Sequence, residues 1–184
     1  TYFIIAIYSI SLLLIFFYSL AQLNLLVNYL GFKRRNKEAP KYNLLDPKEI
    51  PFVTIQLPIY NEEYVVERLL ENISKIEYPM SKLEIQVLDD STDDSVHDTA
   101  KRIKALQETG LDIQHIRRTN RQGYKAGALK EGLDMAKGEF IAIFDADFLP
   151  SSDWLKKTVI YFKDQEIGVV QTRWGHINRE YSTL

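Results

Sequence analysis

Residues 1–32, TYFIIAIYSISLLLIFFYSLAQLNLLVNYLGF, carry no charged side chain. All 23 Lys and Arg and all 25 Asp and Glu lie after position 32. A helix needs about 20 apolar residues to cross a hydrocarbon layer of roughly 30 Å, and this stretch exceeds that length. A buried core helix would show alternating polar and apolar faces, yet the polar positions that would make one begin only at Gln22, Asn24 and Asn28. A signal peptide opens on a basic segment and has a short apolar run, and neither is present. The expectation is therefore one transmembrane helix over 1–32, with Tyr2, Tyr29 and Phe32 suited to the interfaces. Lys33, Arg34, Arg35 and Lys37 follow, against one nearby acid, Glu38. The positive-inside rule turns that end toward the cytoplasm. An integral membrane protein is expected, lodged in the lipid bilayer with its remaining chain cytosolic, in a bacterial inner or plasma membrane or in a eukaryotic Golgi membrane.

Composition narrows the rest. A net charge of −2 offers no basic face of the kind that general nucleic-acid binding needs. The absence of cysteine excludes disulfides and thiolate metal sites. Residues 33–51 read as a basic juxtamembrane segment and linker, broken by Pro40, Pro47 and Pro51. From residue 52 short apolar runs alternate with amphipathic ones. Strands are expected over 53–57, 83–88, 111–116, 140–144 and 167–172. Helices are expected over 62–75, 93–108, 124–136 and 151–163, with Thr92 or Asp93 capping the second and Ser152 the last. This pattern predicts an α/β fold, a mostly parallel sheet with helices on both faces.

In open sheets of this class ligands sit beyond the carboxyl ends of the strands. Those ends carry PIYNEE (58–63), Asp89 and Asp90, RRTNRQGYKAG (117–127), and Asp145 and Asp147. Each has a plain structural reading. The acids of 89–94 suit caps and turns, Tyr60 suits packing at a sheet edge, and Glu62 suits a first helical turn. Arg117, Arg118, Arg121 and Lys125 suit a solvated loop. Together they suggest more. If extended geometry continues past Phe144, Asp145 and Asp147 point the same way and repel unless a cation lies between them. Oxygen ligands alone suit Mg2+ or Mn2+, which bridges to substrate phosphates. Lys125 and the arginines can take phosphate charge, an acid after the second strand can accept from a base or ribose, and Tyr60 can stack on a base. No GxxxxGK[ST] or GxGxxG pattern is present, which disfavours P-loop and dinucleotide enzymes. His97, His115 and His176 lack the spacing of zinc ligands.

The segments PIYNE, VLDDSTDDS, RQGYKAGALKEGL, IAIFDADFLP and VVQTRWGHIN, in this order, resemble the processive family 2 glycosyltransferases of the GT-A fold. The likeness is greatest to the cellulose-synthase-like group that includes mannan and glucomannan synthases. It covers roughly residues 50–184, so that 52–184 is expected to be the N-terminal, nucleotide-sugar-binding part of a GT-A domain. The resemblance implies inverting transfer of a hexose from a nucleotide-sugar donor, GDP-mannose or UDP-glucose, to a growing β-linked polysaccharide acceptor. Carried over by position, Tyr60 and Glu62 contact the base and ribose, and Asp90 contacts the nucleotide with Asp89 as alternate. Lys125 lies near the diphosphate, Asp145 binds donor and metal, and Asp147 completes the metal-binding DxD. Two family features do not match. The aspartate base of a TED-type motif is not found, and QTRW (171–174) has one residue between Gln and Arg where QxxRW has two. The base is thus expected beyond Leu184, and the chain alone is expected to bind donor weakly and transfer nothing.

Three other readings share parts of this pattern. A polyprenyl-phosphate sugar synthase would use the same fold, though GYKAGALKEG and the leading helix favour the polymer enzymes. A membrane-tethered phosphoacceptor module would place an acid pair after an early strand but has no need of DAD or the KAG loop. A plain membrane anchor would leave the carboxylates without chemistry.

Overall fold

The uncharged stretch forms α1, Tyr2–Arg35, a single helix that runs on into the basic residues. Its apolar side chains are exposed on all sides, and it is long and apolar enough to cross a membrane. The Ser19 hydroxyl donates to the Ile15 carbonyl (2.8 Å) and the Asn28 amide to Asn24 Oδ1 (2.9 Å), so these polar groups are partly satisfied within the helix. The computed structural model describes residues 2–35, 49–173 and 175. Most of the expected linker, the end of QTRW and His176 lie outside these residues. The chain divides into two units, Thr1–Tyr42 and Asn43–Leu184.

The second unit alternates as expected: β1 (Val53–Ile59), α2 (Glu63–Ile73), β2 (Leu83–Asp89), α3 (Ser95–Glu108), β3 (Ile113–Arg117), α4 (Tyr124–Met135), β4 (Phe140–Ile143) and α5 (Trp154–Val159). All described pairings are parallel, in the order β3-β2-β1-β4. The chain steps outward from β1 to β3, then returns through α4 to the other side of β1. That reversal opens a crevice above the carboxyl ends of β1 and β4.

The two faces of the sheet differ chemically. Val53, Ile55, Leu57, Leu83, Ile85, Val87 and Ile113 project into one apolar core with Val66, Leu69, Leu70 and Ile73 of α2 and Ile103 of α3. The opposite face, under α4, carries Thr54, Gln56, Glu84 and Gln86, all at most 1 % exposed. Thr54 Oγ1 donates to Glu84 Oε2 (2.7 Å), Gln56 Nε2 to Gln86 Oε1 (3.0 Å), and Gln114 Nε2 to Glu84 Oε1 (3.1 Å). Lys137 N closes on Glu84 Oε2 at 2.9 Å. Small residues let α4 settle on this layer: a Cβ at Gly132 would lie 2.7 Å from Gln56 Nε2 and 2.9 Å from Gln86 Oε1.

Four expectations are corrected. Residues 167–172 form no strand: β4 is the edge of the described sheet, no neighbour pairs with the segment, and Val169 is 83 % exposed. An apolar β-branched run suits a strand only where a ladder partner exists. Neither Thr92 nor Asp93 is the N-cap of α3. Asp94 holds that position, and the Asp93 carboxylate instead accepts from the Ser95 amide (3.2 Å) and hydroxyl, a local turn that competes with capping. Ser152 does not cap α5, whose N-cap is Asp153, because its hydroxyl donates to Glu77 Oε1 at 2.9 Å. The last expected helix is also shorter, α5 passing into a 3-10 turn over Ile160–Lys163.

Candidate active site

Side-chain alternation at the end of β2 decides which of two adjacent acids faces the crevice. Asp89 falls on the same face as Val87, is 1 % exposed, and accepts from the Ser91 amide (2.8 Å) beside His115 Nε2 (2.7 Å). Burial alone would push its carboxyl up, but the bonds from His115 and Ser91 outweigh that and hold it below the ordinary aspartate value. Asp90 turns to the α4 face. It meets Arg118 in a fork, Nε to Oδ1 at 2.9 Å and Nη2 to Oδ2, with both side chains only 6 % exposed. The hydrogen bonds to Asp90 keep the guanidinium more firmly protonated than usual.

A cleft of about 490 Å³ lies at the reversal point, and Tyr60, Glu62, Asp90, Arg121, Lys125, Asp145 and Asp147 line it. Of the acids, the tyrosine and the lysine expected to bind donor or metal, only Asp89 stays outside. A groove of similar size, about 520 Å³, runs between α2 and α3 past Glu63, Glu67, Asp98 and Arg102. It is away from the strand ends and gathers none of those residues.

Asp145 and Asp147 reach the cleft by a route different from the extended one expected. The strand stops at Ile143, and the Phe148 amide closes a turn on the Asp145 carbonyl at 3.0 Å, burying Ala146 between the two acids. The acids still share one cavity. Asp145 pairs with Lys125, which the first turn of α4 projects over the strand ends. Asp147 is exposed and has no hydrogen-bond or ion-pair partner among the described residues. Among these residues no group of three or more His, Asp and Glu side chains is placed to hold a metal unaided. The available donors are carboxylate oxygens, and they fit a hard cation that keeps water and phosphate in its remaining positions.

Two residues to which the sequence assigns no specific role prove central. Arg118 is legible there only as part of a basic loop, whereas its guanidinium also donates to the carbonyls of Gln122 (3.1 Å) and Tyr124 (3.0 Å), tying that loop to Asp90. Asn61, at φ +53°, joins the loops after β1 and β2. Its backbone N–H donates to Ser91 Oγ (2.9 Å) and its side-chain Oδ1 accepts from the Thr92 backbone N–H (2.9 Å). Asparagine after a strand end is the only signal, since it tolerates the left-handed region. Asn61→Ala should destabilise the domain by about 1–2 kcal/mol, read as a shift in urea midpoint. Asn61→Gly, which relieves the backbone but lacks the amide, should recover part of the loss.

Residues 54–183 match the profile of the family described as "Glycosyl transferase family 2". The chain belongs to glycosyl transferase family 2. Glucomannan 4-beta-mannosyltransferase 1 of Cyamopsis tetragonoloba is 38% identical over 170 residues, 88% of this chain and 32% of its own length. Probable glucomannan 4-beta-mannosyltransferase 11 of Oryza sativa subsp. japonica is 46% identical, covering 70% of this chain and 23% of its own length. The chain therefore spans about a third or less of these curated relatives. Among solved structures, the mannosyltransferase PcManGT of Pyrobaculum calidifontis, in complex with GDP-Man and Mn2+, superposes with a TM-score of 0.65 at 36% identity. The match covers 78% of this chain and 41% of that one. S. aureus TarS shares the fold at a TM-score of 0.53 and 23% identity. The family 2 membership and the GT-A-like parallel sheet are as the sequence motifs imply.

Proposed function

We propose that this chain carries the donor- and cation-binding half of a membrane-bound inverting glycosyltransferase, which moves a hexose from a nucleotide sugar onto a growing β-linked polysaccharide. The observation that supports this most is the meeting of Tyr60, Glu62, Asp90, Lys125, Asp145 and Asp147 in one cleft where the strand order reverses. Tyr60 offers a ring to the base, and Glu62 and Asp90 accept from base N–H or ribose hydroxyl groups. Lys125 faces the diphosphate. Asp145 and Asp147 hold Mg2+ or Mn2+, which when bound stabilises charge on the departing diphosphate. Asp89 is left out of the nucleotide contacts because its carboxylate is committed to His115 and Ser91. Relatives named as mannosyltransferases and a neighbour holding GDP-Man and Mn2+ favour GDP-mannose over UDP-glucose. The apolar helix α1 anchors the protein in a bilayer, with its basic end on the cytosolic side. No carboxylate of this chain is assigned as the base that deprotonates the acceptor hydroxyl, so binding without transfer is expected of it.

Thermal unfolding of the full chain in detergent, with GDP-mannose or UDP-glucose and with or without Mn2+, tests this. Saturation near 100-fold above Kd adds about 2.7 kcal/mol, an upward shift of several degrees for a domain of this size. Asp147→Asn should lower the Mn2+-dependent affinity at least about tenfold, or 1.4 kcal/mol. Wild-type affinity in that variant would remove the cation from the site, and no shift with either sugar nucleotide would sink the donor assignment.

A further inference from the structure

The ring assigned to the base already carries a guanidinium. Arg121 Cζ lies 3.4 Å from the centroid of Tyr60, the thickness of one stacked aromatic layer, and 5.4 Å from that of Tyr124. A nucleobase and a guanidinium cannot share that face. Arg121 is also held loosely by everything else. Its Nε is shut off from solvent without a hydrogen-bond acceptor, and the nearest carboxylate oxygen, Asp90 Oδ2 at 3.8 Å, is already engaged by Arg118. Arg118 by contrast donates to three partners and is nearly buried. The two arginines of one loop thus have opposite characters, one fixed and one replaceable. Cation–π contact and base stacking are of similar strength, so exchange between them is close to balanced.

We propose that Arg121 is a displaceable plug on the Tyr60 platform, and that a nucleotide binds by exchanging its base for this guanidinium. The inference rests on the donor reading above and adds a residue that sets base affinity without touching the transferred sugar. The apparent affinity of every base-bearing ligand is lowered by the fraction of molecules in which the plug is seated. A ligand that has no base pays nothing for the plug.

The test measures binding of GDP, UDP and inorganic pyrophosphate, each with Mn2+, to the full chain in detergent by calorimetry. Arg121→Ala should tighten GDP and UDP by similar factors, about three- to tenfold, and leave pyrophosphate unchanged. That gain runs against the loss of a positive charge near an anion. It should vanish in the Tyr60→Ala background, because the plug has no platform there. Arg121→Lys, which keeps the charge but has no planar group to stack, should also tighten GDP. Weaker binding of all three ligands by Arg121→Ala would make Arg121 a phosphate ligand. Weaker binding of GDP and UDP alone would make it a clamp on the base. Either result, or no change, overturns the plug while leaving the donor site standing. Failure of the wild-type and Arg121→Ala chains to bind either nucleotide overturns both.

Discussion

Replacing Gly127 by alanine is expected to abolish nucleotide binding and to cost the domain about 1–3 kcal/mol of stability. A Cβ at this position would sit 1.9 Å from the Gln122 carbonyl oxygen, 3.1 Å from the Gln122 carbonyl carbon and 2.7 Å from Arg118 Nη1. Two of these atoms are backbone, so no flexible side chain can swing aside. The loop itself must open. Gln122 O is one of the acceptors that hold Arg118, and the Gly127 amide itself bonds the Gly123 carbonyl at 3.0 Å. Opening the loop therefore loosens Arg118, then Asp90, and moves the turn of α4 that carries Lys125. Urea unfolding and a GDP–Mn2+ titration of the full chain check both parts. A variant that binds GDP normally would show that the close fold-back of the loop onto α4 is dispensable.

The second large effect concerns the fork between Arg118 and Asp90. Arg118→Met leaves a carboxylate that is 6 % exposed without its hydrogen-bonded partner and with only Arg121 Nε, 3.8 Å from Oδ2, beside it, a loss expected to cost about 3 kcal/mol. Arg118→Lys keeps the charge but not the two parallel bonds, and should recover only part of that. Pairing Arg118→Met with Asp90→Leu removes both charges. The double variant should regain most of the stability lost by the single one and still fail to bind GDP. A double variant as unstable as Arg118→Met would mean that the loop contacts of Arg118, rather than the buried pair, carry the stabilisation.

The parts of this site that lie along one strand or helix are legible in the amino-acid sequence alone. Alternation of apolar and polar segments announces β1 to β4, and the acids after Phe144, the lysine of KAG and the tyrosine after Pro58 all stand at predictable ends. Contacts between distant segments are not legible in the same way. Nothing local in Arg118 says that it meets an acid 28 positions earlier, and nothing in Asp89 and Asp90 says which is first to turn inward until the pairing of β1 with β2 is known. The turn at Ala146 and Asp147 is set by the Phe148 amide closing on the Asp145 carbonyl, so the two acids meet by a bend and not by strand periodicity. The apolar stretch IGVVQT has strand composition but lacks a ladder partner among the described residues. Composition describes what a segment tolerates, and neighbours decide what it does.

Parallel strands have no hairpin to fix how far one slides along another. In this domain Gln56 stands opposite Gln86 and donates to it, while Gln114, opposite Gln86, reaches diagonally to Glu84, so buried polar side chains link three strands beneath α4. A slip of two residues would keep every side chain on its proper face, and an apolar core would scarcely notice. It would nonetheless set Gln56 against Glu84 or Leu88 and carry Asp90 roughly 6.6 Å along the strand axis. The buried layer of Thr54, Gln56, Glu84 and Gln114 thus works as a vernier, favouring one alignment that greasy packing alone would not fix and keeping the tips of three strands flush beside the cleft.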